Sequence, residues 1–143
     1  MIKIRILAVL LMLPFCLLAQ NEGNEEKAIE KVILGYIENF FTNDFEEMEI
    51  YLHERLAKRG INQGGRLSKE FSKSELKALM NSKQALPLKY QSNKVDSIFI
   101  DRSFSSAILS TGYPNVKWKE YIHLAKLDGK WQIMNVFWNF DKL

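Results

Sequence analysis

The dipeptide Asp128-Gly129 stands between two segments of alternating pattern, KWKEYIHLAKL before it and KWQIMNVFWNF after it. In that setting an Asp-Gly pair is a strong signal for a two-residue β-hairpin turn, whose central residues both take positive φ. No other feature constrains the chain as much. The turn sets which residues face each other, and a one-residue slip would send every side chain to the opposite face. Closed on this turn, Leu127 pairs with Lys130, Leu124 lies opposite Ile133, Ile122 opposite Asn135 and Glu120 opposite Phe137. One face then carries Trp118, Glu120, Ile122, Leu124, Trp131, Ile133, Asn135, Phe137 and Asn139. The other carries Lys117, Lys119, Tyr121, His123 and Ala125 on one strand and Gln132, Met134, Val136, Trp138 and Phe140 on its partner. Neither alternates cleanly enough to be a solvated face. The first is expected to lie under helices. The second, with Met134, Val136, Trp138 and Phe140 as an apolar patch, is expected to be partly covered by another subunit, the alternative being the chain's own tail or leader.

Upstream of Pro87 the period is helical. Ile29, Val32, Ile33, Tyr36, Ile37, Phe40 and Phe41 form one buried stripe, which predicts a helix from about Glu25 to Thr42. Asn43 is the expected N-cap of a second helix that turns Phe45, Met48, Leu52 and Leu56 inward. Gly60, Gly64 and Gly65 mark turns, with a short hairpin or irregular lip between residues 60 and 70. Ser72-Lys73-Ser74-Glu75 is a capping box that opens a third helix, apolar at Leu76, Leu79 and Met80. Strands are expected at Lys94–Asp101, Ser105–Thr111, Val116–Leu127 and Trp131–Phe140. Three helices followed by a run of strands is an α+β order.

The first 19 residues, MIKIRILAVLLMLPFCLLA, have a basic start, an apolar stretch too short to span a bilayer, and a small residue at the end. They read as a secretory signal cleaved before Gln20, the alternative being a retained anchor helix; cleavage leaves residues 20–143 as a single exported domain, periplasmic or secreted, with no stable membrane anchor. Cys16 follows Phe15 rather than a small residue, so it reads as filler within the signal, not a lipidation site. The domain then has no cysteine, which excludes disulfides and thiol chemistry. Cleavage removes Lys3 and Arg5 from 20 basic residues and none of the 17 acidic ones, taking the net charge from +3 to about +1. With both signs interspersed, nucleic acid is not an expected partner.

At the two ends of the domain the chain resembles a known family. AIEKVILGYIENFFTNDFEEMEIYLHERL is similar to the first two helices of the nuclear transport factor 2-like superfamily, and KEYIHLAKLDGKWQIMNVFW to its closing hairpin. The combination resembles most the putative lumazine-binding, or SnoaL-like, group. The resemblance implies a cone-shaped α+β barrel, three N-terminal helices packed on a strongly curved, mainly antiparallel sheet with a cavity open at one end. It also implies a homodimer through the convex sheet face. Superfamily members include isomerases, cyclases, dehydratases and proteins of no known chemistry, so the fold does not give the function. Glu120 stands where the resemblance leads one to expect Asp.

The cavity candidates are Tyr36, His53, Trp118, Glu120, Asn135 and Phe137. A carboxylate among apolar groups can act as general acid or base; equally, Glu120 can pair with a base such as Arg55 or Arg66 and close the cone. Tyr36 is a core tyrosine or a group that polarises a ligand carbonyl. His53 is a contact at the cavity mouth or a surface histidine. Trp118, Trp131 and Phe137 stack on a flat ligand or fill the core. His123 falls on the opposite face, and two histidines on different surfaces make no metal site. No cofactor is expected, and no phosphate loop or nucleophile arrangement is present. The reading is an exported binder of a small apolar or aromatic molecule. The alternatives are an isomerase-, cyclase- or dehydratase-type enzyme with Glu120 as base and Tyr36 or His53 as partner, or an interaction domain with a filled cavity.

Overall fold

In the computed structural model, which describes residues 3–140 and side chains from residue 23 onward, helix α1 (Lys3–Thr42) runs without a break through the point where a start near Glu25 is expected. Cleavage of the leader before Gln20 lies outside the described side chains. The predicted stripe is the buried face of α1: Ile29, Ile33, Tyr36 and Ile37 are fully enclosed.

Asn43 ends this helix rather than starting the next. It takes a left-handed conformation, φ 62°, which suits asparagine after a helix C-terminus. Asp44 caps α2 (Phe45–Glu49), accepting a hydrogen bond from the Glu47 amide at 3.1 Å. Helix α2 stops there, so Leu52 and Leu56 lie on a strand, β1 (Leu52–Ile61), with Gly60 inside it and not at a turn. The leucines at helical spacing are inward positions of a strand with a register irregularity between Leu52 and Ala57. The lip after β1 is held by bridges between Lys58 and Phe71 and between Ile61 and Leu67. Helix α3 (Lys73–Asn81) starts on the predicted capping box, and a 3₁₀ turn at Leu88–Tyr90 leads to the strands.

The remaining strands are β2 (Lys94–Asp101), β3 (Phe104–Tyr113), β4 (Val116–Leu127) and β5 (Lys130–Phe140). The sheet order is β1-β5-β4-β3-β2, antiparallel except for the parallel β1–β5 pair. Three helices on this open, mixed sheet make the α+β cone.

The Asp128-Gly129 turn forms with both φ positive, 49° and 77°, and pairs Leu127 with Lys130 and Leu124 with Ile133. Beyond that point the pairing slips by one residue. His123 faces Asn135, Ile122 faces Val136 and Glu120 faces Trp138, so Met134 is the extra residue of a β-bulge. The bulge reverses the faces of the outer half of β5. Val136 is core, while Trp138 and Phe140 turn toward the hollow side. Asn135, Phe137 and Asn139, expected inside, share the outer face with His123, Tyr121 and Lys119. The outer apolar surface is therefore Phe99, Ile108, Tyr121 and Phe137, and the expected patch of Met134, Val136, Trp138 and Phe140 does not exist as such.

Glu25 pins the start of the buried stretch of α1 to the hairpin. Its carboxylate accepts from Lys126 Nζ and Trp131 Nε1, both at 2.7 Å. These bonds, Lys126 first, hold its pKa below the usual glutamate value. Glu25→Gln is expected to cost about 0.5–1 kcal/mol at neutral pH, because the pair is partly solvent-screened. A lowered carboxylate pKa gives stability that is present above the unfolded value and lost as pH falls through the folded one. Urea titrations of the two proteins should therefore converge on acidification, and a constant gap would contradict this account.

Candidate functional site

Helices α1 and α3 and the hollow face of the sheet enclose a cavity of about 770 Å³. Phe40 and Phe41 from α1, Trp118 from β4, and Trp138 and Phe140 from β5 form an aromatic wall. Trp118 packs 5.7 Å from Phe41 and 5.4 Å from Phe140, centroid to centroid. Leu76 and Leu79 from α3, Phe71 before it, Leu86 after it and Tyr113 from β3 complete the apolar lining.

One polar cluster is set into this wall. Glu120, 1 % exposed, points inward from the middle of β4. Its Oε1 accepts from Lys58 Nζ at 2.6 Å and from Trp118 Nε1 at 3.1 Å, and its Oε2 accepts from the Tyr36 hydroxyl at 2.9 Å. Lys58 Nζ also donates to the Tyr36 oxygen. It lies between the rings of Tyr36, Phe40 and Trp138, at 5.0, 5.3 and 5.4 Å from their centroids. Such contacts favour a desolvated cation. Burial raises the Tyr36 pKa well above the usual tyrosine value, and the Glu120 charge adds to this. Burial lowers the Lys58 pKa, with Glu120 pulling the other way. The arrangement is a satisfied ion pair with a neutral phenol, and every carboxylate oxygen already has a donor.

Of the sequence candidates, Tyr36, Trp118 and Glu120 come together here. His53 does not. It sits on β1, its Nδ1 accepts from the Arg55 amide at 3.1 Å, and it does not line the cavity. Asn135 and Phe137 lie on the outer face because of the bulge. Trp131 is at the far end of the sheet, bonded to Glu25. The partner of Glu120 is Lys58, neither Arg55 nor Arg66. Sequence reasoning missed Lys58, Lys83, Trp138 and Phe140. The last two carry a signal: Trp131 and Ile133 are two apart, as are Val136, Trp138 and Phe140, but Ile133 and Val136 are three apart. An odd step in an otherwise even series marks a bulge.

Three helices on a curved mixed sheet, with an open aromatic cavity between α1, α3 and the sheet, define the nuclear transport factor 2-like class. The chain belongs, within it, to the family described as putative lumazine-binding, which matches residues 24–139. Solved structures of the same fold include nuclear transport factor 2-like proteins of unknown function from three bacteria. That from Silicibacter pomeroyi has a TM-score of 0.75 at 11% identity, covering 84% of this chain and 98% of that one. That from Shewanella baltica has 0.73 at 18%, with 84% and 96% covered. That from Methylobacillus flagellatus has 0.71 at 24%, with 83% and 94% covered. At these identities the likeness is one of fold. No curated protein matches the sequence.

Proposed function

We propose that the chain is an exported, dimeric protein that holds a small apolar or aromatic molecule in its cone. The observation that carries this reading is the cavity: about 770 Å³, lined by aromatic and aliphatic side chains, within the usual size of ligand pockets. The lumazine-binding description of the family is consistent with a flat ring against Trp118, Trp138 and Phe140. Binding is favoured over catalysis because Glu120 accepts three hydrogen bonds, one of them from its ion-pair partner Lys58, so that both carboxylate oxygens are engaged by the protein itself. The dimer is assigned to the outer sheet face, where Phe99 and Tyr121 are exposed. Export rests on the composition of residues 1–19.

One measurement tests the three parts together. The gene is expressed with its leader, and the protein is recovered by osmotic shock and examined by native mass spectrometry. The expected species starts at Gln20, has twice the chain mass and carries a non-covalent small-molecule adduct, retained in Glu120→Gln and lost on denaturation. Full-length mass overturns export and monomer mass overturns the dimer. No adduct, together with no change in tryptophan fluorescence on adding lumazine or an apolar dye, overturns binding.

A further inference from the structure

We infer that the cavity selects an apolar organic monoanion and that Lys83, in the segment after α3, receives its charged group; this rests on the small-molecule reading above. Three charged side chains line the cavity: Lys58, Lys83 and Glu120. Two ammoniums against one carboxylate leave a single positive charge. It belongs to Lys83, because Glu120 holds Lys58 at 2.6 Å. Lys83 Nζ donates to the Phe40 carbonyl at 2.6 Å and lies 3.4 Å from the Phe40 ring centroid. An ammonium has three N–H donors, and this carbonyl is the one acceptor placed on it among the described residues.

The groups that face Lys83 do not neutralise it. Helix α1 offers the uncharged Phe40 carbonyl and ring. Strand β1 offers Lys58, another cation, on the same ring, 5.3 Å from its centroid. The carboxylate of β4 stands behind Lys58. Burial, and then the Lys58 charge, lower the Lys83 pKa to about 8. A half-buried cation without a counter-ion among the described residues, on the wall of a mainly apolar cavity, is stabilised by an anion arriving from solution. The aromatic lining suits the apolar body to which that anion must be attached. A tether to the end of α1 explains one N–H of Lys83 but not its place on the cavity wall.

Two dyes that share a ring system separate the possibilities: anilinonaphthalene sulfonate, a monoanion, and phenylnaphthylamine, which is neutral. In the wild-type protein both are expected to bind at pH 7. Lys83→Met is expected to weaken the anionic dye about tenfold or more, the range of a charge-assisted contact, and to leave the neutral dye within about twofold. Wild-type affinity for the anionic dye should fall from about pH 8 upward as Lys83 loses its proton. In Lys83→Arg the anion should still bind and the decline should vanish, since arginine keeps its charge. If the neutral dye binds and the anionic dye is indifferent to Lys83→Met, the inference fails while the binding reading stands. Equal weakening of both dyes also overturns it, leaving Lys83 as a helix tether. Failure of both dyes to bind the wild-type protein overturns the binding reading as well.

Discussion

Lys58→Met is expected to destabilise the protein by about 3–5 kcal/mol in urea unfolding, the cost of stranding one charge of a buried pair. Lys58 is 5 % exposed and Glu120 1 %. Without the ammonium, Glu120 must either keep an unpaired charge or take up a proton. The methionine keeps most of the volume, so the loss should report charge and not packing. A compensated variant makes the distinction sharp. Lys58→Met, Glu120→Leu and Tyr36→Phe together remove both charges and the hydroxyl that would lose its acceptor. That variant is expected to be more stable than Lys58→Met and to fall short of wild type by about 1–3 kcal/mol, the cost of the Trp118 Nε1–H that loses its acceptor, because apolar replacements of buried ion pairs are otherwise often neutral or stabilising. If single and compensated variants are equally unstable, the network contributes by its shape alone.

The same network sets the alkaline limb of stability. The Tyr36 pKa is raised in the folded state, so its contribution is whole below the ordinary value of 10.0 and is lost as pH rises toward the folded one. Lys58 has the opposite sign. Its folded pKa is lowered from 10.5, so its contribution is present above that value and declines as pH falls through the folded one. Tyr36→Phe should flatten the alkaline loss, and an unchanged limb would point to another group.

The α3 cap and the hairpin turn were the most legible parts of the chain, because they depend on neighbours within four residues, although the cap of α2 falls one residue later than expected, at Asp44. Ser72 caps α3 as its sequence predicts, and Asp128-Gly129 closes the hairpin. Long-range pairing was less legible. Leu52 and Leu56 sit four apart among Glu, Arg, Ala and Lys, all good helix formers. Parallel pairing with β5 overrides that local preference and draws Leu56, Lys58 and Gly60 to one face. Lys58 was hidden for this reason. A lysine two residues from a leucine looks solvated until an inward carboxylate arrives from a strand more than sixty residues away. Tyr36, Trp118 and Glu120 were found because each keeps the phase of an element whose period is unbroken. Asn135 and Phe137 were misplaced because Met134 breaks the phase of β5 between the turn and the site.

Gly60→Ala is expected to cost about 3 kcal/mol, the upper end of the usual overpacking range. Gly60 pairs with Trp138 across the parallel β1–β5 ladder. A Cβ at this position would lie 2.1 Å from the Trp138 carbonyl oxygen and 2.4 and 2.5 Å from two atoms of its indole. The indole can swing aside, but the carbonyl belongs to the ladder, so relief requires parting β1 from β5. Gly60 has no positive φ to preserve, and space alone sets the cost. Gly64→Ala is the matched control. Its nearest neighbours are side-chain atoms of Asn62 at 3.3 Å and Arg66 at 3.9 Å, and its cost should stay within about 0.5 kcal/mol. The damage should also be local in kind. Trp138 and Lys58 stand on the two strands that would separate, so hydrogen exchange should quicken first at residues 58 to 61, and the neutral dye should bind more weakly because the cavity loses a wall. A Gly60→Ala protein as stable as Gly64→Ala, with unchanged exchange in β1, would mean that β1 and β5 are not packed at this distance, and the cavity wall built on their pairing would have to be redrawn.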